Sequence, residues 1–418
     1  MYICICTPLP IFSKARPEKK QVVDAATQEH STTQAVAVTK VLDDDNLLRE
    51  IIVRVGFPTN LVHAALVCKR WLGHASDPKF LSRFRKRHPP RLLGYYITGQ
   101  CILSESPDVA RFVPMLPQPP ELATVMCRLK SYNFSTHKIM HCHNGTIFTM
   151  HPEETIWAYE VHRPLCAETD LQIFTPFPCV QDHNIQIYSA ILSKEDASGL
   201  SYFYVLGEYS KEAGKSTMHV YMFQDGVWRT QALATCHHRL PIYLKALFVS
   251  NKIYMPATNG DDIVVLDLMA SSFSTIQLPE GVKYDCFKSR LSCADDVSSV
   301  YLIHVMEFQL CIWLHKGDNW LLIDAICLNE MIATLGVPDH TLEDEDIANV
   351  LIHHVRDYLQ FVVLHMGECI FYLDMKCKTL CKVYEMTENE FFGGMNPFMM
   401  MWPPTFPALK DDRARFVF

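Results

Sequence analysis

Between residues 42 and 93, apolar positions recur at the three- and four-residue spacing of short amphipathic helices. The first predicted helix follows the polar run Asp43–Asn46, whose side chains suit the positive end of a helix. Gly56 and Pro58 end this helix, because glycine favours helix C-termini and proline cannot continue one. The pattern therefore predicts a helix that buries one apolar stripe.

Two more helices are predicted in the same segment. The second begins at a Thr59 or Asn60 cap and extends to Trp71, and the third begins at Asp77 with Pro78 in its first turn. Three helices this short expose apolar residues on more than one side. The segment is therefore predicted to dock on another chain.

The order of these residues resembles the F-box, the adaptor-binding motif of cullin-based ubiquitin ligases. The matching strings are DDNLLREIIVRV at 44–55, LVCKRW at 66–71 and DPKFLSRF at 77–84. The longer string through HPPRLLGYYI, at 88–97, is similar to F-box proteins of cereal grasses. The family often opens with Leu-Pro, whereas this chain has Asp43 and Asp44 there.

The resemblance implies a surface that meets a Skp-type adaptor and, through it, a cullin. Eight residues would form or support that surface: Leu47, Leu48, Ile51, Ile52, Leu66, Val67, Cys68 and Trp71. The alternative is an ordinary helical bundle in which these residues are core. Cys68 is expected to lie in an apolar helix face as a packing thiol and not to be a nucleophile.

From residue 92 onward the helical spacing gives way to short β-rich runs separated by turn signals. The clearest unit has runs at 252–255, 263–268 and 273–276, with Asn259-Gly260-Asp261-Asp262 as a hairpin turn. Similar runs recur at 139–143, 146–149, 156–159, 202–206, 218–223, 227–230, 299–303, 310–314, 320–323, 359–364, 368–373 and 380–384. The helix-like stretch 328–335 is expected to be an insertion.

These runs repeat with a period on the order of 45 residues, the size of a propeller blade. The predicted fold class is α+β multidomain, with a three-helix module followed by a degenerate six- or seven-bladed β-propeller. A β-sandwich or two smaller β domains are the alternatives. The predicted domains are a disordered extension at 1–40, the helical module at 41–91 and the β domain at 92–418, and the resemblance to cereal F-box proteins implies a β-rich receptor domain too.

Composition indicates a reduced intracellular protein. A net charge of −8 gives no footprint for nucleic acid, and no apolar run is long enough to span a membrane. The sixteen cysteines lack the dense spacing of a small secreted scaffold, and the start of the chain makes a poor signal peptide. We expect free thiols and a cytoplasmic or nuclear location.

The sequence points to no catalytic site, no cofactor and no metal. Gly214-Lys215-Ser216 lacks the earlier glycine of a phosphate-binding loop. Neighbouring ligands on a strand point to opposite faces, so doublets such as His353-His354 do not readily clasp one metal. The chain is expected not to be an enzyme.

The resemblance and the β repeats together imply a substrate receptor of a Skp–cullin–F-box ubiquitin ligase that holds an unidentified protein target. A scaffold acting outside a ligase, or a carbohydrate-binding or enzymatic propeller with an F-box, is the alternative. Candidate target-binding loops are 193–201, 209–217 and the acidic 336–347. The acidic loop could attract a basic target patch, and the alternative is a solvated loop that only aids solubility. The Met- and aromatic-rich segment 396–409 is expected to pack on the first and last blades, or else to line a partner surface.

Overall fold

The structure is a computed structural model. It describes residues 36, 38–56, 58–88, 90–101, 109–132, 138–152, 157–165, 172–174, 185–196, 199–224, 227–240, 245–258, 260–294, 298–335, 350–355, 359–387, 390–402 and 406. Most of the predicted extension at 1–40 and the acidic loop at 336–347 lie outside these residues. Residues 38–43 are helical.

The chain divides into two compact units, one made of Met1–Arg91, Leu165–Asp170 and Met399–Phe418, the other of Leu92–Pro164 and Leu171–Phe398. The first is the helical unit. Its helices are α1 Asp45–Ile52, α2 Pro58–Ala65, α3 Lys69–Ala75 and α4 Pro78–Arg87. Their buried residues form one core: Leu48, Ile52, Val53, Leu61, Ala65, Leu72, Ala75, Phe80 and Phe84, joined by Trp402.

The second predicted helix is wrong in its extent. Thr59 and Asn60 lie inside α2 and do not cap it. The helix ends at Ala65, and residues 66–68 are not helical. Cys68 is fully extended, with φ −163° and ψ 168°, and α3 starts after it. The break turns α3 so that Arg70 reaches the start of α1, a distant contact that local periodicity does not reveal.

The last predicted helix is confirmed at its start, whereas the first begins at Asp45, inside the polar run that was expected to precede it. The Asp44 carboxylate accepts hydrogen bonds from the backbone amides of Asn46 (2.8 Å) and Leu47 (3.0 Å). The Asp77 carboxylate accepts one from the Phe80 amide at 2.8 Å, and Pro78 occupies the first turn. Each cap satisfies amides that have no partner within the helix.

Replacing Asp77 by alanine is expected to destabilise the helical unit by about 1 kcal/mol, because the Phe80 amide loses its acceptor. Hydrogen exchange of the α4 amides in the full chain measures this. Asp77→Asn, which keeps an acceptor oxygen, should stay close to the parent. Equal protection in Asp77→Ala and the parent would show that the cap contributes no stability.

The C-terminal segment packs partly as expected and partly elsewhere. Residues up to Met399 belong to a strand, whereas Trp402 enters the helical core and stacks on Phe84, with ring centroids 5.6 Å apart and planes 6° apart. The Met400 amide also donates to the Arg91 carbonyl at 2.8 Å. The expectation that the whole segment packs on blades is therefore wrong for Trp402 and Phe406, which pack in the helical core. The hydrophobic effect depends on the apolar area removed from water and not on which surface covers it, so the sequence does not show where these side chains pack.

The second unit is a six-bladed β-propeller. Its strands are β1 Leu92–Cys101, β2 Val109–Pro114, β3 Lys138–His143, β4 Thr146–Pro152, β5 Trp157–His162, β6 Gln172–Phe174, β7 Ile185–Asp196, β8 Gly199–Ser210, β9 Lys215–Gln224, β10 Val227–Cys236, β11 Leu247–Val249, β12 Lys252–Pro256, β13 Asp262–Asp267, β14 Ser272–Gln277, β15 Ser289–Cys293, β16 Val300–Met306, β17 Gln309–Lys316, β18 Asn319–Cys327, β19 Leu351–Val355, β20 Phe361–Met366, β21 Cys369–Asp374, β22 Thr379–Glu385 and β23 Glu390–Met399. Short helices α5 Ala123–Ser131 and α6 Leu328–Ala333 interrupt the strands, the latter as predicted.

Five of the sheets are consecutive four-stranded antiparallel meanders, β3–β6, β7–β10, β11–β14, β15–β18 and β19–β22. The sixth has the order β2-β1-β23, so it joins strands from both ends of the chain. The first strands of successive meanders, β3, β7, β11, β15 and β19, contact one another in turn. They are therefore the inner strands of the propeller.

Two predicted target-binding loops are corrected. Residues 193–201 belong mostly to the β7–β8 hairpin, and 209–217 to β8 and β9 around a tight turn at 211–214. Polar residues such as Ser193 and Ser201 are paired in register with Tyr202 and Lys194. Polarity alone misidentified these stretches, because one face of an antiparallel blade can carry polar side chains.

The described cysteines whose side chains are placed are free thiols. They are Cys68, Cys127, Cys142, Cys236, Cys286, Cys293, Cys311, Cys327, Cys369, Cys377 and Cys381. Within the described part of the chain, no helix has both the length and the apolar content needed to cross a membrane.

Candidate functional site

Helix α1 presents apolar side chains to solvent while its polar side chains contact the rest of the helical unit. Leu47 and Ile51 are 47% and 42% exposed, and they lie one helical turn apart on one side. Asp45 and Glu50 instead form ion pairs with side chains of α3 and α4. A soluble helix normally does the reverse, so this side of α1 is suited to docking.

The turn between α2 and α3 gives a second exposed apolar pair. Leu66 is 60% exposed and Val67 is 63% exposed, and Cys68 beside them is also exposed. Cys68 begins α3 without a side-chain cap bond. The expectation that Cys68 is a packing thiol in a helix face is therefore wrong, because the chain leaves the helix before reaching it.

The remaining predicted docking residues lie beneath this surface. Leu48 and Ile52 are buried in the helical core, and Trp71 is half-buried against it. Their side chains shape the unit and do not face a partner directly. Charged residues at Leu48 and Ile52 would unfold the unit, since each buried aliphatic side chain contributes roughly 1.5–3 kcal/mol. Loss of adaptor binding after these two substitutions would therefore reflect unfolding and would not test the docking surface.

Arg70 ties α3 to the start of α1. Its guanidinium donates to the Asp45 carboxylate at 2.8 Å and to the carbonyls of Leu42 (2.9 Å) and Asp43 (2.7 Å). His74 lies 2.9 Å from the same carboxylate. The hydrogen bonds from His74 and then Arg70 hold the pKa of Asp45 below its usual value. Sequence reasoning missed Arg70 and His74 because their partners lie more than twenty positions away.

Glu50 makes the corresponding tie to α4. Its carboxylate pairs with Arg83 and, at 2.8 Å, with Arg54. Arg83 first and Arg54 second lower the pKa of Glu50. The pairs are exposed to solvent, so their main effect is to fix the orientation of α1 and thereby of Leu47 and Ile51.

A shallow groove on the same unit is lined by basic residues. Its lining is Arg49, Asp77, Lys79, Phe80 and Arg83. Most of the charges have internal roles: Arg49 donates to His74 at 3.1 Å, Asp77 caps α4, and Arg83 pairs with Glu50. The basic residues that follow in the last turn of α4 suit the negative end of that helix. The groove is therefore structural.

Metal binding and phosphate binding are the two kinds of site chemistry that the sequence raised. The described residues contain no group of three or more His, Cys, Asp or Glu side chains placed to hold a metal. Ser216 lies in β9, where its hydroxyl donates to the His238 carbonyl at 2.7 Å, so the 214–216 stretch is a hairpin edge. What the helical unit offers is contact area, namely two exposed apolar pairs on a fixed frame.

Comparison with known proteins gives one family match. The model of the family described as "F-box protein AT5G49610-like, beta-propeller" matches residues 138–406. No curated protein matches the chain.

Among solved structures, the periplasmic gluconolactonase PpgL of Pseudomonas aeruginosa is 11% identical with TM-score 0.35, covering 71% of this chain and 83% of that one. A putative 6-phosphogluconolactonase of Bacteroides uniformis is 14% identical with TM-score 0.33, covering 71% and 83%. YCF48 of Cyanidioschyzon merolae is 8% identical with TM-score 0.34, covering 70% and 86%. At such scores these likenesses carry no argument.

Proposed function

We propose, from the premise that the chain belongs to the F-box proteins with an AT5G49610-like β-propeller, that it is the substrate-recognition subunit of a Skp–cullin–F-box ubiquitin ligase. In this proposal the helical unit is the F-box and binds a Skp-type adaptor. The propeller binds a protein target. No cofactor is required, and the location is the cytoplasm or the nucleus.

The observation that carries the proposal is the outward orientation of the apolar residues of the helical unit. Leu47, Ile51, Leu66 and Val67 are exposed where the F-box resemblance expects adaptor contacts. The ion pairs of Asp45 and Glu50 would hold the first of these pairs in place before binding. Preformed apolar surface lowers the entropic cost of association.

The proposed mechanism is positioning and not chemistry. The adaptor-bound chain would hold its target near the ubiquitin-charged enzyme of the complex, which raises the effective concentration of target lysines. The thioester chemistry would belong to other subunits. The chain itself would therefore not be an enzyme.

Changing Leu66 and Val67 together to aspartate is expected to weaken binding of a purified Skp-type adaptor to the full chain at least about 100-fold. Two aliphatic contacts, each worth roughly 1.5–3 kcal/mol, would be lost and two charges would be desolvated. Calorimetry measures the affinity. Since both side chains are already in solvent, the variant should keep the parent's far-ultraviolet circular dichroism.

A matched control uses the same chemistry on the propeller. Leu233 and Val227 in β10 are 55% and 51% exposed. Their double aspartate variant should bind the adaptor as the parent does. The proposal fails if the parent does not bind the adaptor, or if both double variants, still folded, bind it equally well.

A second measurement separates a ligase subunit from a scaffold. The full chain and adaptor are mixed with a cullin, and co-elution of all three is expected. Adaptor binding without cullin co-elution would reject the ligase and leave an adaptor-bound scaffold.

A further inference from the structure

Two cations, one just before the inner strand β11 and one in the inner strand β15, donate to the same backbone oxygen. Lys245, just before β11, donates to the Cys286 carbonyl at 2.8 Å. Arg290, in β15, donates to the same carbonyl and to that of Ser289 at 2.6 Å. Like charges this close repel strongly where water is scarce. We call Lys245 and Arg290 the cationic pair.

Burial makes the arrangement costly. Arg290 is only 8% exposed, and burial is the main cause that lowers its pKa. Burial and then Arg290 lower the pKa of Lys245 to about 8. Among the described residues, no carboxylate lies within salt-bridge distance of either cation. Asp285 acts on both cations electrostatically and raises their pKa, but its carboxylate accepts from the amides of Phe287 (2.6 Å) and Lys288 (3.2 Å).

A buried hydroxyl beside the pair lacks an acceptor among the described residues. The Tyr284 hydroxyl lies within reach of the Arg290 guanidinium, which can only donate to it, and it donates to no described residue. Burial raises its pKa to about 12, so it is an O–H donor at neutral pH. An unpaired buried donor costs about 1–3 kcal/mol. A negatively charged hydrogen-bond acceptor would therefore stabilise the hydroxyl donor and both cations.

A neutral histidine also lies near the cationic pair. His353 in β19 lies 3.2 Å from His365, between ring nitrogens. Burial first, then His365, Arg290 and Lys245, lower the pKa of His353 to about 3. The imidazole therefore adds no charge at neutral pH. The Ile352 amide donates to the Phe287 carbonyl at 2.6 Å, which fixes β19 against the loop that carries Cys286.

Solvent can reach the pair from one side. Lys245 is only partly buried, and its ammonium nitrogen lies 5.8 Å from the ring centroid of Phe287, which is itself exposed. An anion can thus approach past Phe287 and meet the lysine before the arginine. Lysine and arginine together are a usual donor set for phosphate oxygens.

From these contacts we propose that Lys245, Arg290 and the Tyr284 hydroxyl form a binding site for an oxyanion of the phosphate class. The bound charge offsets the repulsion within the cationic pair and gives the tyrosine its acceptor. The oxyanion comes either from a free phosphorylated small molecule or from a phosphorylated side chain of another protein. The site does not depend on the ligase assignment, because it concerns the propeller alone.

The test uses inorganic phosphate, with thermal unfolding and calorimetry of the full chain at constant ionic strength. Phosphate should raise the melting temperature of the parent more than chloride does. Lys245→Met should bind phosphate at least about tenfold more weakly, because a charge-assisted hydrogen bond is lost. Without phosphate, Lys245→Met should melt no lower than the parent, since the substitution removes a repulsion.

The matched control is Lys283→Met, which changes the net charge equally at an exposed lysine paired at 3.9 Å with Asp261. It should keep the parent's phosphate affinity. Equal phosphate responses in the parent and both variants, or none in the parent, would overturn the site. So would a lower melting temperature of ligand-free Lys245→Met, which would show the lysine to be a structural tie to Cys286.

The pH dependence of binding is measured with sulfate, because the charge of sulfate is constant over the pH range used. Lys245 is charged below its folded-state pKa of about 8, so sulfate affinity should be highest there and fall as the pH rises above 8. Neither His353 nor Tyr284 changes charge in that window. The series is run in a Cys286→Ser background, because the Cys286 thiol interacts electrostatically with both cations. The measurement covers the range from roughly one pH unit below this pKa to roughly one and a half above it. A sulfate affinity that does not change over this range contradicts the role of Lys245.

A capped Gly-phosphoserine-Gly peptide distinguishes the two possible sources, a phosphorylated side chain and a free phosphorylated small molecule. Tighter binding of the peptide than of inorganic phosphate, lost in Lys245→Met, identifies a phosphorylated chain. Equal or weaker binding, also lost in Lys245→Met, identifies a free oxyanion. Either result supports the site, and binding that Lys245→Met retains overturns it.

Discussion

Replacing Trp402 by alanine will destabilise the helical unit by about 3–5 kcal/mol, the usual cost of removing a large buried aromatic side chain. The Trp402 ring is buried and stacked on Phe84, which is itself in the centre of the core. Removing it leaves a cavity bounded by helices too short to close it by themselves. Hydrogen exchange of the α1–α4 amides in the full chain measures the loss.

Trp402→Phe is the control for this prediction. Phenylalanine keeps a ring stacked on Phe84, so most of the protection should return. If the helices of Trp402→Ala exchange as slowly as those of the parent, the C-terminal segment does not stabilise the unit. The outcome bears on the proposed function, because unfolding the helices would abolish adaptor binding although no exposed apolar residue has changed.

The helical unit shows how far a local pattern can be trusted. Acidic residues before an apolar stripe predicted the start of α4 and placed that of α1 within one turn, because capping is a contact within four residues. The break at 66–68 was missed, because α3 is held by Arg70 hydrogen bonds to Leu42 and Asp43. The helical contribution of Trp402 was missed for the same reason, since its partner Phe84 is over three hundred positions away. Exposure of Leu66 and Val67 follows from that break.

The propeller shows a different limit. Runs in the middle strands of the meanders, such as those of β12, β13, β16 and β17, were predicted because these strands are buried and apolar. Four inner strands were missed: β7, β11, β15 and β19. β15 is short and carries buried polar residues, Ser289, Arg290 and Ser292, so it shows no apolar run. The repeat length predicted six or seven blades, and closure by β23 gives six.

The oxyanion site was invisible at the sequence level for a related reason. Lys245, Tyr284 and Arg290 are separated by loops and fit no phosphate-binding motif. Only the side-by-side placement of inner strands brings them together. A single lysine or arginine in a sequence is usually on a solvated surface, and its burial is not readable from its neighbours.

Replacing Gly94 by alanine will destabilise the closing sheet of the propeller by about 3 kcal/mol or more, as overpacking against rigid atoms does. Gly94 in β1 pairs with Pro114 in β2. A Cβ atom at Gly94 would overlap the Val113 carbonyl oxygen and lie 2.6 Å from the Phe112 ring and 2.8 Å from the Pro114 Cα. Backbone atoms cannot move aside without breaking the β1–β2 register.

Amide exchange in β1, β2 and β23 of the full chain tests this prediction. Because the sheet β2-β1-β23 is the one that joins the two ends of the chain, loss of its register should also loosen the neighbouring sheets. The same substitution at Gly73, where a Cβ would meet nothing within 4 Å, should stabilise α3 slightly, because alanine is the better helix former. Unchanged exchange in Gly94→Ala would show that the β1–β2 pair can yield, and that closure of the propeller does not require glycine at this position.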